Sequence, residues 1–189
     1  MEYERQTLRR VGIQNRNALT DAARAAYSAR ICEQIYASEA FRRARTLLLY
    51  RAVGAEVNVD GVWHEAERLG KRVAFPVCVG AGEMLALSPQ TAEAWTVGAY
   101  GISEPRREKS QPVLPEELDL VVCPCTAFDA EGHRLGMGAG YYDRFLPRCT
   151  HAVLLAAAFE TQRAAAVPAE PWDVPMHRIV TEDKVYIIK

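Results

Sequence analysis

The sequence lacks a long apolar run and carries almost no net charge. No window approaches the roughly 20 apolar residues that a membrane-spanning helix requires, and the N-terminal residues MEYERQTLRR contain no apolar segment of the kind found in signal peptides. We therefore expect a cytoplasmic protein that does not engage a membrane. The 23 Lys and Arg residues are balanced by 24 Asp and Glu residues. This balance gives no overall positive field for a nucleic acid, so any phosphate site must be local.

Cysteines are few and scattered. The five cysteines include no pair spaced by two residues, the spacing of zinc ribbons and thioredoxin-like sites. The Cys-Pro-Cys segment at 123–125 has no second pair and no spaced histidine partner to complete a metal site. We expect reduced, mostly buried thiols at Cys32, Cys78, Cys123, Cys125 and Cys149.

No internal repeat or low-complexity segment divides the 189 residues, of which 49% are hydrophobic. A chain of this size and composition can bury one sizeable core. We expect a single domain over residues 1–189, acting as a monomer.

Two helices are predicted at the start of the chain, over residues 4–19 and 21–37. In the second, Tyr27, Ile31 and Ile35 recur every four residues, and Thr20 caps its start. A short helical piece is expected after Ser38. The unbroken run TLLLY at 46–50 is typical of a strand buried on both faces.

A predicted helix over 60–69, ending at Gly70, and a predicted strand over 72–75 complete one βαβ unit. The stretch 103–117, rich in proline and charge, is expected to be a long loop. The remaining strands are expected at 84–87, 118–123, 152–158 and 185–188. This alternation predicts a single-domain α/β fold: an open, mainly parallel sheet with helices on both faces, preceded by two N-terminal helices. In such sheets, ligands bind beyond the carboxyl ends of the strands.

The segment RLGMGAGYYD at 134–143 carries the strongest functional signal. Its three glycines at alternate positions let the backbone approach a ligand closely, and a helix is expected to begin there. Arg134 is a suitable donor to phosphate oxygens, and Asp143 is a hard oxygen ligand for Mg²⁺. Together they predict a nucleotide-type site, although the spacing is neither the P-loop nor the dinucleotide fingerprint. The glycines by themselves fit a tight structural turn equally well.

A wider set of residues resembles the 5-formyltetrahydrofolate cyclo-ligase family, also called methenyltetrahydrofolate synthetase. The run PCTAFD from Pro124, a glycine three residues later and RLGMGAGYYDRFL resemble the family's signature. Further family landmarks follow the same order along nearly the whole chain: RQTLR at 5–9, GAEV at 54–57 and YGISEP at 100–105. Ala139 departs from the signature, where the family has a glycine.

The resemblance implies an ATP- and Mg²⁺-dependent closure of 5-formyltetrahydrofolate to 5,10-methenyltetrahydrofolate, with ADP and phosphate released. It implies ATP contacts from Arg5, Arg9, Arg134, Leu135, Gly136, Met137, Gly138, Ala139, Gly140, Tyr141 and Tyr142. It implies substrate contacts from Glu56, Met84, Tyr100, Gly138, Tyr142 and Gln162. The catalytic residues expected are Glu56, Arg134 and Tyr142, and the magnesium ligands expected are Asp143 and Asp173.

Several of these residues also have structural interpretations. Arg5, Arg9 and Arg16 share one face of the first helix and could reach the phosphates together, but spacing alone favours a solvated basic face. Glu56 follows the first buried strand, yet it could be an ordinary loop glutamate. Asp173 could be a turn residue; Met84, Tyr100 and Tyr142 could wall the pterin or simply be core residues.

Two other function classes fit the sequence. One is a non-catalytic member of the same fold that binds a nucleotide or a folate. The other is a kinase-like enzyme that acts on a different amide or carboxylate. The complete set of Glu56, Arg134, Asp143 and Asp173 argues against the first of these.

Overall fold

A computed structural model describes residues 1–80, 82–98 and 101–188. The helices are α1 (Glu2–Ala18), α2 (Asp21–Tyr36), α3 (Glu39–Arg43), α4 (Asp60–Arg68) and α5 (Tyr141–Phe145). The strands are β1 (Thr46–Leu48), β2 (Arg72–Cys78), β3 (Met84–Pro89), β4 (Trp95–Val97), β5 (Ser103–Pro105), β6 (Ser110–Val113), β7 (Leu120–Pro124), β8 (Ala127–Phe128), β9 (Arg134–Leu135), β10 (Val153–Ala157), β11 (Arg178–Val180) and β12 (Val185–Ile187).

The two N-terminal helices and the predicted Thr20 cap of the second are confirmed. The Thr20 hydroxyl accepts a hydrogen bond from the Ala23 amide at 3.1 Å, which satisfies one free amide of the first turn of α2. The Ser38 hydroxyl accepts one from the Phe41 amide at 3.2 Å and starts α3. Ile31 and Ile35 lie on one face of α2 and are fully buried. Capping and apolar spacing therefore explain this part of the fold.

The main sheet has eight strands in the order β12-β11-β10-β7-β1-β2-β3-β6. The five central strands, β11, β10, β7, β1 and β2, are mutually parallel, whereas β12, β3 and β6 run antiparallel to their neighbours. The predicted βαβ unit is present, with Leu47 of β1 opposite Val73 of β2. The prediction of an open, mainly parallel sheet is confirmed.

Both faces of the sheet are covered. One core cluster contains buried residues of α2, α3 and α4, including Ile35, Phe41 and Val62, packed with Leu47 and Val122 of the sheet. The other contains Phe145 of α5 and the sheet residues that point the opposite way, such as Leu48 and Val121. This alternation is the pattern expected for strands buried on both sides.

The prediction of an uninterrupted loop over 103–117 is wrong. The segment contains β5 and β6, separated and followed by short 3₁₀ turns. Strand β6 pairs with β3 and forms the edge of the main sheet, while β5 pairs with β4. Each has only three or four residues and contains a proline, so neither shows a two-residue period.

Strands β1 and β7 are neighbours at the centre of the sheet, and the chain leaves them in opposite directions. From β1 it continues through α4 to β2, and from β7 it continues through α5 to β10. The gap between their carboxyl ends is therefore the topological switch point, where open α/β sheets bind ligands. The described part of the chain contains no helix with both the length and the hydropathy needed to cross a bilayer.

Candidate active site

Helix α1 lies over the carboxyl ends of β7 and β10, against β8 and the 3₁₀ turn Glu160–Gln162. Gly12 allows this close approach, because a β-carbon at that position would lie 1.9 Å from the Thr126 carbonyl oxygen. The buried residues of α1 are Arg5, Gly12 and Arg16, with no large apolar side chain among them. The helix therefore brings buried arginines to the switch point, in addition to the partly buried Leu8, which packs against Ala127 and Leu135.

The glycine segment forms an exposed loop between β9 and α5. Gly138 and Gly140 have φ values of 103° and 68°, in the region that favours glycine, and Gly140 caps α5. Residues 136–139 are exposed. The backbone amides of 136–140 donate no hydrogen bond to another residue of the described segments. Free amides on a turned backbone are available to bind an anion.

Ala139 fits this loop without strain. None of the described non-glycine residues has a positive φ, so its methyl group lies on an ordinary backbone conformation. The departure from the family's signature therefore leaves the loop geometry unaffected.

Two arginines hold the carbonyl oxygens of this loop. Arg9 of α1 donates from Nε to the Gly136 carbonyl at 3.2 Å. Arg144 of α5 donates from Nη2 to the Ala139 carbonyl and from Nε to the Gly82 carbonyl at 2.7 Å. Arg144 was not among the predicted site residues, although its position directly after Asp143 in the signature was a usable signal. The loop is thus supported from both sides while its amides remain unpaired.

Arg134 lies beneath the loop and not on its surface. Its side chain is 3% exposed, and Nη1 donates to Asp143 Oδ1 at 3.1 Å and to the Val174 carbonyl at 2.9 Å. The Val174 amide also donates to Asp143 Oδ1, at 3.3 Å. Arg134 therefore orients Asp143 and fixes the 174 segment against the loop.

Arg5 and Asp173 form a second buried ion pair. Arg5 Nη2 lies 3.1 Å from Asp173 Oδ1, Nη1 contacts Asp173 Oδ2, and Nη1 also donates to the Pro168 carbonyl at 2.7 Å. The Glu170 amide donates to Asp173 Oδ2 at 2.8 Å. Burial acts to raise the pKa of Asp173, but the hydrogen bonds from Arg5 and from the Glu170 amide hold it below its usual range.

Glu56 lies at the other end of α1, in the loop after β1. Its Oε2 accepts a hydrogen bond from the Val53 amide at 3.0 Å, and its Oε1 lies 3.7 Å from Arg16 Nη1. The carboxylate is 11% exposed, so burial raises its pKa, with the Val53 amide and Arg16 acting in the opposite direction.

Arg16 thus lies with Glu56, whereas Arg9 contacts the glycine loop and Arg5 pairs with Asp173, so the three arginines do not converge on one place in this structure. Seven helical residues separate Arg9 from Arg16, which is about 10.5 Å along the axis. The alternative of a solvated basic face is also wrong, because Arg5 and Arg16 are both buried.

The side chains predicted to contact the substrate differ in how far they are already engaged by other residues of the protein. The Tyr142 hydroxyl is buried without a hydrogen-bond partner among the described residues, and burial raises its pKa well above the ordinary value. Met84 is buried in the same core cluster against which Tyr142 packs.

Gln162 is engaged within the protein. Its side-chain amide donates to the Cys125 and Thr126 carbonyls at 2.8 and 3.1 Å and accepts from the Phe159 amide. It therefore joins the 3₁₀ turn to the residues that follow β7. Tyr100 lies outside the described residues.

The residues present fit a magnesium ion that is shared with a bound phosphate. Within the described segments, no group of three or more His, Cys, Asp or Glu side chains forms an all-protein metal site. Asp143 is 23% exposed, and its Oδ2 accepts no hydrogen bond from another described residue. Mg²⁺ is commonly held by one or two carboxylates together with substrate phosphates. Asp143 suits that role directly, whereas both oxygens of Asp173 are engaged by Arg5.

This combination defines an α/β protein with a candidate site at the switch point, which extends from the exposed glycine loop to the buried Glu56 carboxylate. The chain belongs to the 5-formyltetrahydrofolate cyclo-ligase family, since that family's sequence model matches residues 1–182. The resemblance inferred from the sequence is confirmed, and the chain is an enzyme of the ligase class.

Named relatives agree with this assignment. The 5-formyltetrahydrofolate cyclo-ligase of Escherichia coli K12 is 31% identical over 147 residues, which cover 76% of this chain and 81% of that protein. The solution structure of 5,10-methenyltetrahydrofolate synthetase from Aquifex aeolicus superposes with a TM-score of 0.86 at 29% identity, covering 98% of this chain and 93% of that one. The Mycoplasma pneumoniae 5,10-methenyltetrahydrofolate synthetase has a TM-score of 0.78 at 23% identity, over 94% of this chain and 98% of that one, and supports the fold.

Proposed function

We propose that the protein uses ATP and Mg²⁺ to cyclise 5-formyltetrahydrofolate to 5,10-methenyltetrahydrofolate, releasing ADP and phosphate. The observation that carries the proposal is the placement of two arginines on one helix. Arg9 contacts the glycine loop, and Arg16 faces Glu56. Their separation of about 10.5 Å provides room for a triphosphate at one end and a pterin at the other.

The chemical difficulty of the reaction is its leaving group. A formamide oxygen does not leave as oxide or hydroxide, so transfer of the γ-phosphoryl group to that oxygen converts it into phosphate. Attack by N10 on the formyl carbon then forms the new carbon–nitrogen bond, and the oxygen departs with the phosphate. Such a sequence requires positioning and charge neutralisation more than covalent help from the protein.

The glycine loop and Asp143 are proposed to supply the phosphate end of the site. The unpaired amides of 136–140 would bind phosphate oxygens, while Arg9 and Arg144 keep the loop in shape. A magnesium ion held by Asp143 would neutralise phosphate charge. Arg134 contributes by fixing the Asp143 carboxylate. Arg5 contributes by holding the 168–173 segment against α1, through Asp173 and the Pro168 carbonyl.

Glu56 and Tyr142 are proposed to act at the folate end. N10 loses its proton when it attacks, and a nearby carboxylate is a suitable acceptor. Burial raises the pKa of Glu56 above its usual value, which makes its carboxylate a stronger base. The unpartnered hydroxyl of Tyr142 would donate to an acceptor on the pterin or the formyl group. Met84 belongs to the core cluster against which Tyr142 packs and would face the pterin ring.

We further propose that the protein acts on these small molecules in the cytoplasm, as a monomer and without nucleic acid. Mixing the purified protein with 5-formyltetrahydrofolate, ATP and MgCl₂ should give the absorbance of the methenyl product, with ADP formed in equal amount. Omitting ATP or adding excess chelator should abolish both signals. Methenyl product formed without ATP would exclude the proposal. ADP formed without methenyl product would identify a kinase-like enzyme, and ligand binding without turnover would identify a non-catalytic member of the fold.

A further inference from the structure

Arg16 is a buried arginine whose hydrogen-bond donors are only partly paired among the described residues. It lies beside Glu56, the carboxylate that we place at the folate end of the site. The residue is 6% exposed, and its Nε donates to no partner among the described residues. Its Nη1 makes two long contacts, 3.4 Å to the Cys125 carbonyl and 3.7 Å to Glu56 Oε1. A guanidinium is costly to bury in this state, because unpaired donors lose their hydration without replacement.

The backbone around Arg16 is fixed. Gly12, one turn earlier on the same face of α1, rests against the Thr126 carbonyl, and the Arg16 guanidinium meets the carbonyl of the preceding residue, Cys125. The helix therefore cannot move closer to the chain that follows β7, and from this position Arg16 Nη1 lies 3.7 Å from Glu56 Oε1.

Arg16 is also the charged group facing Glu56 in the described part of the chain. The other titratable neighbours of Glu56 are Tyr50 after β1, Tyr142 of α5 and Cys125 after β7. Burial raises the pKa of both tyrosines well above the ordinary value and that of Cys125 to about 12. All three are neutral at physiological pH, so the charge of Arg16 is the one that offsets burial of the carboxylate.

The separation of 3.7 Å has a chemical consequence. Oε2 of Glu56 already accepts the Val53 amide, whereas Oε1 accepts no hydrogen bond from another described residue. A guanidinium at hydrogen-bond distance would occupy Oε1 and reduce its basicity. At 3.7 Å the positive charge still favours the ionised form, and the lone pairs of Oε1 remain available to a ligand.

We propose that Arg16 is the positioning residue of Glu56: it keeps the carboxylate ionised while leaving Oε1 free to take the proton from the attacking nitrogen of the folate. This inference rests on the proposed function. Arg16 itself touches neither substrate. It acts through Glu56, so its effect should depend on pH and should disappear when Glu56 is replaced.

The test compares Arg16→Gln, Arg16→Lys, Glu56→Gln and the double variant Arg16→Gln/Glu56→Gln with the wild type. Arg10→Gln is the matched control, because Arg10 is an exposed arginine on the same helix. The measurement is kcat/KM for 5-formyltetrahydrofolate from pH 5.5 to 8.5 at saturating ATP and Mg²⁺, together with the Kd for ATP.

Removing the positive charge favours protonation of Glu56, so Arg16→Gln should move the acid limb of the profile to higher pH by about one unit. The loss should approach roughly tenfold at pH values below the acid limb of both proteins, and most of the difference should disappear by pH 8. Arg16→Lys should keep most of the wild-type limb, and Arg10→Gln all of it. In the Glu56→Gln background, Arg16→Gln should change kcat/KM less than about twofold. The Kd for ATP should be unchanged in every variant.

The proposal would be overturned if Arg16→Gln lowered kcat/KM by the same factor at every pH. It would also be overturned if the loss in the double variant equalled the product of the losses in Arg16→Gln and Glu56→Gln. So would an equal loss of ATP affinity, which would place Arg16 at the phosphates. Should Arg16→Gln alone fail to fold, the double variant remains usable, since it leaves no unpaired carboxylate in the site.

Failure of the proposed function is distinguishable from failure of this inference. If the wild type produces no methenyl product, the same variants can be compared by their free energy of unfolding. Arg16→Gln should then destabilise the protein more at pH 8 than at pH 4.5, and only while Glu56 is present. A destabilisation independent of both pH and Glu56 would refute the ion-pair role itself.

Discussion

Arg5 and Asp173 are 168 positions apart in the sequence and form an ion pair that joins α1 to the segment before β11, with Nη2 of Arg5 3.1 Å from Oδ1 of Asp173. The two side chains are 8% and 10% exposed. The pair therefore connects the first helix to the segment before β11. Among the described residues, no other ion pair makes this connection.

Breaking this pair should destabilise the fold. Asp173→Asn leaves the Arg5 guanidinium buried without its counter-charge, a change that costs roughly 3 kcal/mol in comparable pairs. The pKa of Asp173 is lowered in the folded state, so its contribution to stability is present above the unfolded pKa of about 4 and is lost as the pH falls through the folded pKa. The measurement is urea unfolding of wild type and Asp173→Asn from pH 3 to 8. The difference between them should be constant above about pH 5 and shrink below pH 4; equal stability at neutral pH would contradict this role.

Gly12→Ala tests whether helix propensity or packing governs α1. Alanine is favoured over glycine inside a helix by roughly 1 kcal/mol, so propensity alone predicts stabilisation. The new methyl group would lie 1.9 Å from the Thr126 carbonyl oxygen, so packing predicts the opposite sign. We expect a net loss of about 1–3 kcal/mol, because the helix must shift away from β7. Chemical denaturation gives the sign directly, and a more stable Gly12→Ala protein would show that α1 is not held at this contact.

The glycine loop can be tested with two reciprocal substitutions. Ala139 has an ordinary backbone conformation, so Ala139→Gly should cost about 0.4–1 kcal/mol of stability through the unfolded chain, with little effect on the KM for ATP. Gly138 has a φ of 103°, where a side chain is strained, and an added methyl group would face Arg9 at 3.7 Å. Gly138→Ala should therefore weaken ATP binding by about tenfold through distortion of the loop, an effect worth about 1–2 kcal/mol. A large gain in ATP affinity in Ala139→Gly would show instead that the alanine crowds the phosphates.

The central sheet could be predicted because its strands are buried on both faces. The run TLLLY at 46–50 shows this directly, and β1 begins at its first residue. Strands β4 and β11 were not predicted, because neither lies in a longer unbroken apolar run like the one that contains β1. They depend on neighbours that are distant in the sequence: β11 is positioned by β10, and β4 by β5.

Site residues could be predicted where a local motif carried them and not where distant pairing decides their role. The glycine loop and Asp143 lie within ten residues, so their proximity was visible in the sequence. The partners of Arg5 and Arg16 are 168 and 40 positions away, and only the packing of α1 determines that one meets Asp173 and the other Glu56. The buried residues of α1 are Arg5, Gly12 and Arg16, with Leu8 only partly buried, so apolar spacing could not identify the face that packs on the protein.

The proposed site has a phosphate end at Asp143 and a folate end at Glu56, and calorimetric titration of each ligand separately distinguishes the two ends. The variants are Asp143→Asn and Glu56→Gln, each of which removes one negative charge at nearly constant size. Asp143→Asn should weaken MgATP binding at least tenfold and leave folate binding within about twofold of wild type. Glu56→Gln should keep MgATP binding and lower folate affinity or turnover at saturating ATP. If Asp143→Asn abolishes folate binding without changing nucleotide binding, or Glu56→Gln matches the wild type in every titration and in turnover, the two ends of the site are assigned wrongly.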